Sequence, residues 1–190
     1  MFSATFDDTV QECINKFLPS CTGFRTEKEA LKLRGVKQLK MNCLEDDKKD
    51  FIYDLYLSFE KVQTMIFCNT KKSASELQDH LVKQGITAEK LTSDMQKPER
   101  DAKIDNFRKQ QVTCLISTNV LARGIDVPEV DLVINYDVPI INDVGFKHPD
   151  HANYLHRVGR TGRFGTDGVA LSLYSDEIYE EVLELIEKHW

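Results

Sequence analysis

The residues best suited to chemistry lie between His156 and Arg163, where three arginines and two glycines fall within eight positions. An arginine guanidinium is planar, permanently charged and forked, so it forms paired hydrogen bonds with phosphate oxygens. Arg157, Arg160 and Arg163 recur at every third position, which predicts side chains on nearly one side of a helical turn. The two glycines allow a ligand or another backbone segment to come close. We expect an anion-binding edge, although three arginines alone fit a solvated helix end equally well.

A second group of candidate residues follows an apolar run and spans residues 118–127. Thr118 and the local backbone N–H groups would hold a phosphate, Arg123 would add or brace charge, and Asp126 would accept a hydrogen bond from a sugar hydroxyl. Taken alone, the segment is explained more simply as a tight turn in which Gly124 takes an unusual backbone angle and Arg123 pairs with Asp126.

Short apolar runs alternate with amphipathic stretches from about residue 36 onward. Continuous apolar strands joined by helices predict an α/β fold, in which helices cover both faces of a mostly parallel β-sheet. The final helix is predicted to present Ile178, Val182, Leu185 and Ile186 on one apolar face. Strands are predicted at 64–68, 88–91, 112–117, 132–134 and 169–173, and further helices around Ala74–Leu81 and Ala102–Phe107.

Polar residues follow three of the predicted strands, at 69–72, 118–119 and 136–137. Ligands of parallel sheets bind beyond the carboxyl ends of the strands, so we expect these residues to line a site. Thr70, Lys71 and Arg100 would lie at the same edge, although each of them taken singly fits a solvated charged surface.

The acidic composition limits how this protein can bind nucleic acid. A net charge of -6 and a pI near 5.4 argue against a general basic field, so contact with a polyanion must come from a local patch. The five cysteines are widely spaced without a C-x-x-C pair, which indicates reduced intracellular thiols. No run approaches the roughly 18 apolar residues of a membrane span, and we expect a protein of the cytoplasm or nucleus with no membrane partner. His148, His151 and His156 with Asp150 could be combined into a metal site, but His148 and His151 lie in a polar segment with Pro149, which favours a solvated loop.

Residues 1–35 differ from the rest of the chain. Met1–Phe6 resembles a strand without neighbours, and a short helix with Val10, Ile14 and Phe17 precedes a charged stretch at 22–34. We interpret residues 1–35 as the tail of a preceding domain plus a linker, and residues 36–190 as one domain.

Five segments resemble motifs III, IV, V, Va and VI of DEAD-box RNA helicases, in the order and spacing usual for that family. They are Ser3–Thr5, Met65–Thr70, Thr118–Asp126, Val133–Pro139 and His156–Arg163. Asn119, where most of the family has aspartate, and a long polar loop at Ile140–Asn153 increase the likeness to the mRNA-export helicases of the nuclear pore.

The resemblance implies a C-terminal RecA-like domain, the second of two that clamp ATP and single-stranded RNA between them. Arg160 and Arg163 would approach the γ-phosphate as arginine fingers. His156 would link this edge to the other domain, and Gly124 and Asp126 would bind the ribose of ATP.

On the RNA side, the resemblance implies contacts with the sugar-phosphate backbone, which position a strand without reading its sequence. Arg157 would instead brace the domain internally. The family's Gln-x-x-Arg element falls on Lys97 and Arg100, so only the arginine is carried over. The residues expected to contact RNA are Thr70, Lys71, Arg100, Thr118 and Arg123.

Nothing in the chain resembles the phosphate-binding loop, the Asp-Glu-Ala-Asp sequence or the adenine-reading Q motif. We therefore interpret the chain as a fragment that is inactive alone, with Mg²⁺ held mainly by the absent N-terminal RecA-like domain. The family also implies an activator and nuclear-pore proteins as partners. Two alternatives stay open, namely a non-catalytic RNA- or partner-binding module and the corresponding domain of a helicase that acts on DNA.

Overall fold

The computed structural model describes residues 12, 15–17, 33, 35–59, 62–118, 129–143, 146–162 and 167–189. The chain divides into two compact units, one of Leu33–His189 and the other of Met1–Lys32 with Trp190. The described residues of the second unit, 12 and 15–17, are helical. The expected motif at Ser3–Thr5 lies outside the described residues, and the division into a tail at 1–35 and a domain at 36–190 stays a prediction.

The larger unit alternates strands with helices along most of its length. Its strands are β1 (Val36–Asn42), β2 (Thr64–Cys68), β3 (Ala88–Leu91), β4 (Cys114–Thr118), β5 (Leu132–Asn135), β6 (Ile140–Asp143), β7 (Phe146–Pro149) and β8 (Gly168–Tyr174). Its helices are α1 (Lys48–Ser58), α2 (Lys71–Lys83), α3 (Lys97–Arg108), α4 (His151–Val158) and α5 (Glu177–His189).

Six of the strands form one sheet in the order β1-β8-β5-β2-β4-β3, and every neighbouring pair is parallel. The interior strands β2 and β4 are buried along their whole length, as expected for strands covered on both faces. Ile66, Ile116 and Ile134 from three strands share one buried cluster with Leu77 and Leu81 of α2. The predicted α/β fold with a parallel sheet is confirmed.

Most predicted elements are present, with one error in the last helix. The strands at 64–68 and 88–91 have the predicted bounds, whereas the strand predicted at 112–117 runs from Cys114 to Thr118. In α5, Val182 and Ile186 are buried, but Ile178 and Leu185 are 54% and 50% exposed. The buried stripe includes Leu183, so it is turned around the helix relative to the predicted face.

Several elements were not predicted from hydrophobic periodicity. The edge strand β1 is mostly exposed and carries lysines among its apolar residues, and α1 was not predicted. The prediction of a polar loop at Ile140–Asn153 was wrong, because β6 and β7 form an antiparallel hairpin and α4 begins at His151. The hairpin is closed at its base by a hydrogen bond from the Asp150 N–H to the Pro139 carbonyl at 3.1 Å.

Across the part of the chain that the structure describes, no helix combines the length and apolar character needed to cross a membrane.

Candidate functional site

The carboxyl ends of β5, β2 and β4 lie side by side, because β2 pairs with both of the other strands. The structure thereby brings Asn69–Thr70, Thr118 and Tyr136–Asp137 to one edge of the sheet, as the strand pattern predicts. The backbone N–H of Asn69 donates to Oδ2 of Asp137 at 2.7 Å. This bond joins the segments that follow β2 and β5.

Arg157 of α4 is completely buried and holds this edge together. Its Nη1 donates to the Asp137 carbonyl at 2.7 Å and to Oδ1 of Asn135 at 3.2 Å, and its Nη2 donates to Oδ1 of Asn69 at 2.7 Å. The guanidinium carbon lies 5.4 Å from the centroid of the Phe67 ring, a cation–π distance. The prediction that Arg157 braces the domain internally is confirmed.

The arginines do not project from one side of a helix, so that prediction was wrong. Because α4 ends at Val158, Arg160 lies in the following turn while Arg157 points into the core. Arg160 is itself only 8% exposed, which excludes a solvated helix end for both side chains. Arg163 lies outside the described residues.

The turn that carries Arg160 packs against other backbone segments of the same unit. Gly162 has a φ of +67°, and a Cβ there would lie 2.8 Å from the Gly35 carbonyl oxygen. Only glycine accommodates both constraints, and the close approach predicted here is made by the chain's own backbone. The Arg160 carbonyl accepts a hydrogen bond from the Val130 N–H at 3.1 Å.

Burial changes the acid–base properties of the edge. It lowers the pKa of the Arg157 guanidinium to about 10, which leaves the group charged at neutral pH. Burial also raises the pKa of Asp137, and the Asn69 N–H only partly opposes this effect. The pKa of the Cys114 thiol rises to about 12 through burial, and Cys68 is likewise raised, so both behave as core residues rather than nucleophiles.

Thr70 and Lys71 mark the start of α2. The Thr70 hydroxyl caps the helix by accepting from the Ser73 N–H at 3.0 Å, and the Ser73 hydroxyl donates to Asp137 at 3.3 Å. Lys71 is about half exposed and lies 3.3 Å from Asp94 in the loop after β3. Exposed pairs of this kind contribute little free energy, so Lys71 stays available to an anionic ligand.

Two of the other predicted RNA contacts are described by the structure. Thr118 is the last residue of β4 and is 5% exposed. Arg100 lies in the first turn of α3, where its N–H donates to the Gln96 carbonyl, and its side chain has no ion pair among the described residues. The loop before α3 reaches the start of α2 through the pair between Lys71 and Asp94.

His156 lies on α4 with intermediate exposure. The remaining predicted site residues fall in segments that the structure does not describe, so their assignments stay predictions. These residues are Arg123, Gly124, Asp126 and Arg163.

A pocket of about 270 Å³ lies at the same edge, lined in part by Glu45, Lys48, Thr70 and Asp137, and was not predicted from the sequence. Lys48 is 3% exposed, and its Nζ lies 2.7 Å from Glu45 and 5.4 Å from the Tyr136 ring centroid. The missed helix α1 carries Lys48. Partly buried Phe51 and Leu55 in that helix, four residues apart, offered the helical spacing that could have revealed it.

We compared the chain with known protein families and proteins. Residues 47–165 match the model of the helicase conserved C-terminal domain. The chain is 42% identical to the ATP-dependent RNA helicase dbp5 of Aspergillus niger over its whole length, but spans only 40% of that protein.

Two solved structures of Saccharomyces cerevisiae Dbp5 share the fold. The complex with RNA and ADP BeF3 superposes with a TM-score of 0.88 at 41% identity, covering 99% of this chain and 48% of that one. A variant bound to Nup159, Gle1, IP6 and ADP gives 0.77 at 37% identity, covering 99% and 47%. The RecA-like fold is thereby confirmed. The chain therefore belongs to the helicase family defined by this conserved C-terminal domain, within which it is similar to DEAD-box proteins of the Dbp5 type.

Proposed function

We propose that the chain is the C-terminal half of an ATP-dependent DEAD-box RNA helicase, which clamps single-stranded RNA and supplies arginine fingers for ATP hydrolysis during mRNA export. The observation that carries this proposal is the Arg157 network. Its bonds to Asn69, Asn135 and Asp137 tie α4, which leads into the turn of Arg160, to the sheet edge beside Thr70. A single rigid edge can therefore position groups for a nucleotide and for an RNA backbone.

On the nucleotide side, Arg160 and Arg163 would stabilise the charge that develops on the γ-phosphate, because a guanidinium donates a planar fork of hydrogen bonds. Gly124 and Asp126 would hold the ribose, and His156 would contact the preceding RecA-like domain. Support comes from the yeast Dbp5 structure that contains RNA and ADP BeF3.

Magnesium has no ligand set in the described part of the chain, where no group of three or more His, Cys, Asp or Glu side chains could hold a metal ion. We assign no residue here to Mg²⁺. The preceding RecA-like domain would supply its ligands, as the family resemblance implies.

On the RNA side, Thr70, Lys71, Arg100, Thr118 and Arg123 would contact phosphate and sugar groups. The partners would include an activator and nuclear-pore proteins, which would place the protein in the cytoplasm and nucleus and at the nuclear pore. Support for these partners comes from the yeast Dbp5 structure with Nup159, Gle1 and IP6.

The RNA assignment is tested with the protein extended upstream through the expected N-terminal domain. Fluorescence anisotropy measures its affinity for a single-stranded oligouridine, with ADP BeF3, across a salt series. Affinity should fall as salt rises, and Lys71→Ala should make the slope of log K against log salt shallower by about 0.7, the single-strand value for one lost phosphate contact. Lys109→Ala, at the end of α3, is the matched control. A slope unchanged by Lys71→Ala, or no RNA binding with nucleotide present, would contradict the assignment.

A further inference from the structure

The pocket at the sheet edge shares Thr70 with the proposed RNA contacts, but the rest of its lining has a chemical character that those contacts do not use. Its volume is about 270 Å³, and its apolar lining comes from Val138, Leu173 and the Tyr179 ring. Its polar lining includes Glu45, Lys48 and Asp137. A cavity of this kind suits one extended side chain with an apolar stem and a polar head.

Among the charged groups that line the pocket, the Asp137 carboxylate has one oxygen available to accept further hydrogen bonds. The buried Lys48 is already compensated by Glu45 at 2.7 Å. Asp137 accepts from the Asn69 N–H and the Ser73 hydroxyl, and both bonds go to Oδ2. Oδ1 accepts no hydrogen bond from any residue that the structure describes, so Asp137 retains an acceptor for a ligand donor.

Two acidic turns lie beside the pocket and are called its rim here: the turn before α1 supplies the lining residue Glu45, and the turn before α5 leads to the lining residue Tyr179. The turn before α1 and the turn before α5 adjoin, because the Cys43 N–H donates to the Tyr174 carbonyl at 2.8 Å. Exposed carboxylates crowd these two turns, which disfavours phosphate and attracts cations. They belong to Glu45, Asp46, Asp47, Asp176 and Glu177.

Exposed apolar residues accompany the carboxylates. Leu44 is 63% exposed and precedes Glu45, and Ile178 is 54% exposed and precedes Tyr179. Apolar side chains beside a polar pocket are typical of a surface that binds another protein rather than a free ion. The Tyr179 ring also accepts a cation within the molecule, since the Lys147 Nζ lies 3.7 Å from its centroid.

We propose that this pocket receives an arginine side chain of a protein partner. Its guanidinium donates to Asp137 and is attracted by the acidic rim, while its aliphatic stem packs against Val138 and Leu173. Arginine suits the pocket better than lysine, because its flat fork can donate to two acceptors at once and can stack on an aromatic ring. The proposal does not depend on RNA binding or ATP hydrolysis.

The test uses the 190-residue chain and two small probes that differ only in charge. Amide shifts of Asn69, Ser73 and Asp137 are followed by NMR during titration with N-acetyl-arginine methylamide, and then with the uncharged N-acetyl-citrulline methylamide. The arginine probe should give saturable shifts at these residues, with binding about tenfold tighter than that of the citrulline probe.

Two variants locate the effect. Asp137→Asn should weaken the arginine probe about tenfold, while Asp79→Asn on the exposed face of α2 should leave its affinity unchanged. The double variant Asp46→Asn and Asp176→Asn alters only exposed rim residues, so it should keep the native spectrum and weaken the probe by a smaller factor.

Three results would overturn the proposal. Equal binding of the two probes would show that charge plays no part, and equal loss in Asp79→Asn would indicate a general acidic field. Saturable shifts with uridine 5′-monophosphate but none with the arginine probe would instead make the pocket a nucleotide site.

Discussion

Arg157 carries a positive charge at a position that solvent does not reach. Its side chain satisfies acceptors on Asn69, Asn135 and Asp137, which come from two strand ends. A buried charge is costly unless its hydrogen bonds are complete, and here they join separate segments of the chain. The residue therefore acts on the candidate site through position rather than by contact with a ligand.

Removing this side chain should be strongly destabilising. Arg157→Ala leaves three acceptors without their donor, and we expect a loss of about 3 kcal/mol in the free energy of unfolding. Arg157→Lys should recover little of it, because an ammonium cannot reproduce the planar fork. Urea denaturation measures both variants. Arg108→Ala, an exposed arginine in α3, is the control, and a similar small loss in all three variants would contradict the network's role.

Asp137 should leave a signature in the pH dependence of stability. Burial raises its folded pKa above the ordinary value of 3.8, so the folded state keeps this proton to a higher pH than the unfolded state. The contribution of Asp137 to stability is therefore present at low pH and is lost as pH rises through the folded pKa. Asp137→Asn removes this term, so its stability relative to the native chain should increase with pH above 3.8. The urea midpoints of both proteins, measured across a pH series, test this prediction. A difference between the two midpoints that stays constant with pH would contradict a raised pKa of Asp137.

For the three arginines at 157, 160 and 163, the sequence allowed some roles to be predicted but not the directions of the side chains. The family resemblance implied a bracing role for Arg157 beside a predicted phosphate contact at Arg160, and the hydrogen bonds of Arg157 confirm the bracing role. The direction of the side chains was not predictable, because α4 ends at Val158 and the buried acceptors come from distant strands. Spacing along a chain describes a helix face only while the helix continues.

At the scale of elements, α2 positions the site because one face is anchored in the core. Leu77 is fully buried, whereas Val82 on the same helix is 52% exposed. Leu77→Ala should cost about 2–5 kcal/mol of unfolding free energy through lost burial and the cavity left behind. Val82→Ala removes apolar atoms on the solvent side and should change stability by less than about 0.5 kcal/mol. Comparable losses in thermal or urea unfolding would argue against the described packing of α2.

The cap of α2 separates a structural role of Thr70 from its proposed RNA contact. Thr70→Ala should reduce stability by about 1 kcal/mol, because the Ser73 N–H loses its acceptor, while Thr70→Ser should retain the cap. Urea unfolding checks the cap. If Thr70→Ala unfolds at the native midpoint, the hydroxyl does not stabilise this helix.

Elements with a strong apolar period were predictable from the sequence, whereas elements stabilised mainly by tertiary contacts were not. The central strands and α2 could be located because burial on both faces or one face imposes a regular pattern. The hairpin of β6 and β7 is mostly exposed and is anchored by the contact of Lys147 with Tyr179. Such tertiary contacts leave no local period in the sequence.

At the scale of the whole molecule, the parallel sheet presents one edge to which most described candidate residues belong. The order β5-β2-β4 sets Asp137, Thr70 and Thr118 side by side. Strand alternation predicted that edge, but the acidic pocket next to it depends on α1, β8 and α5, which supply Lys48, Leu173 and Tyr179 to its lining. Under the proposed function, this edge would form half of a nucleotide site and a second domain would enclose the nucleotide.

The most direct measurement of the central claim is RNA-stimulated ATP hydrolysis by the protein extended upstream, compared with its Arg160→Ala variant and with the 190-residue chain. We expect turnover only in the extended protein with RNA present, and a reduction of at least about a thousandfold in Arg160→Ala, the scale of an arginine finger. Arg108→Ala should hydrolyse ATP at the native rate. An extended protein that is inert with RNA, or one that Arg160→Ala leaves active, would contradict the claim that this edge serves ATP hydrolysis.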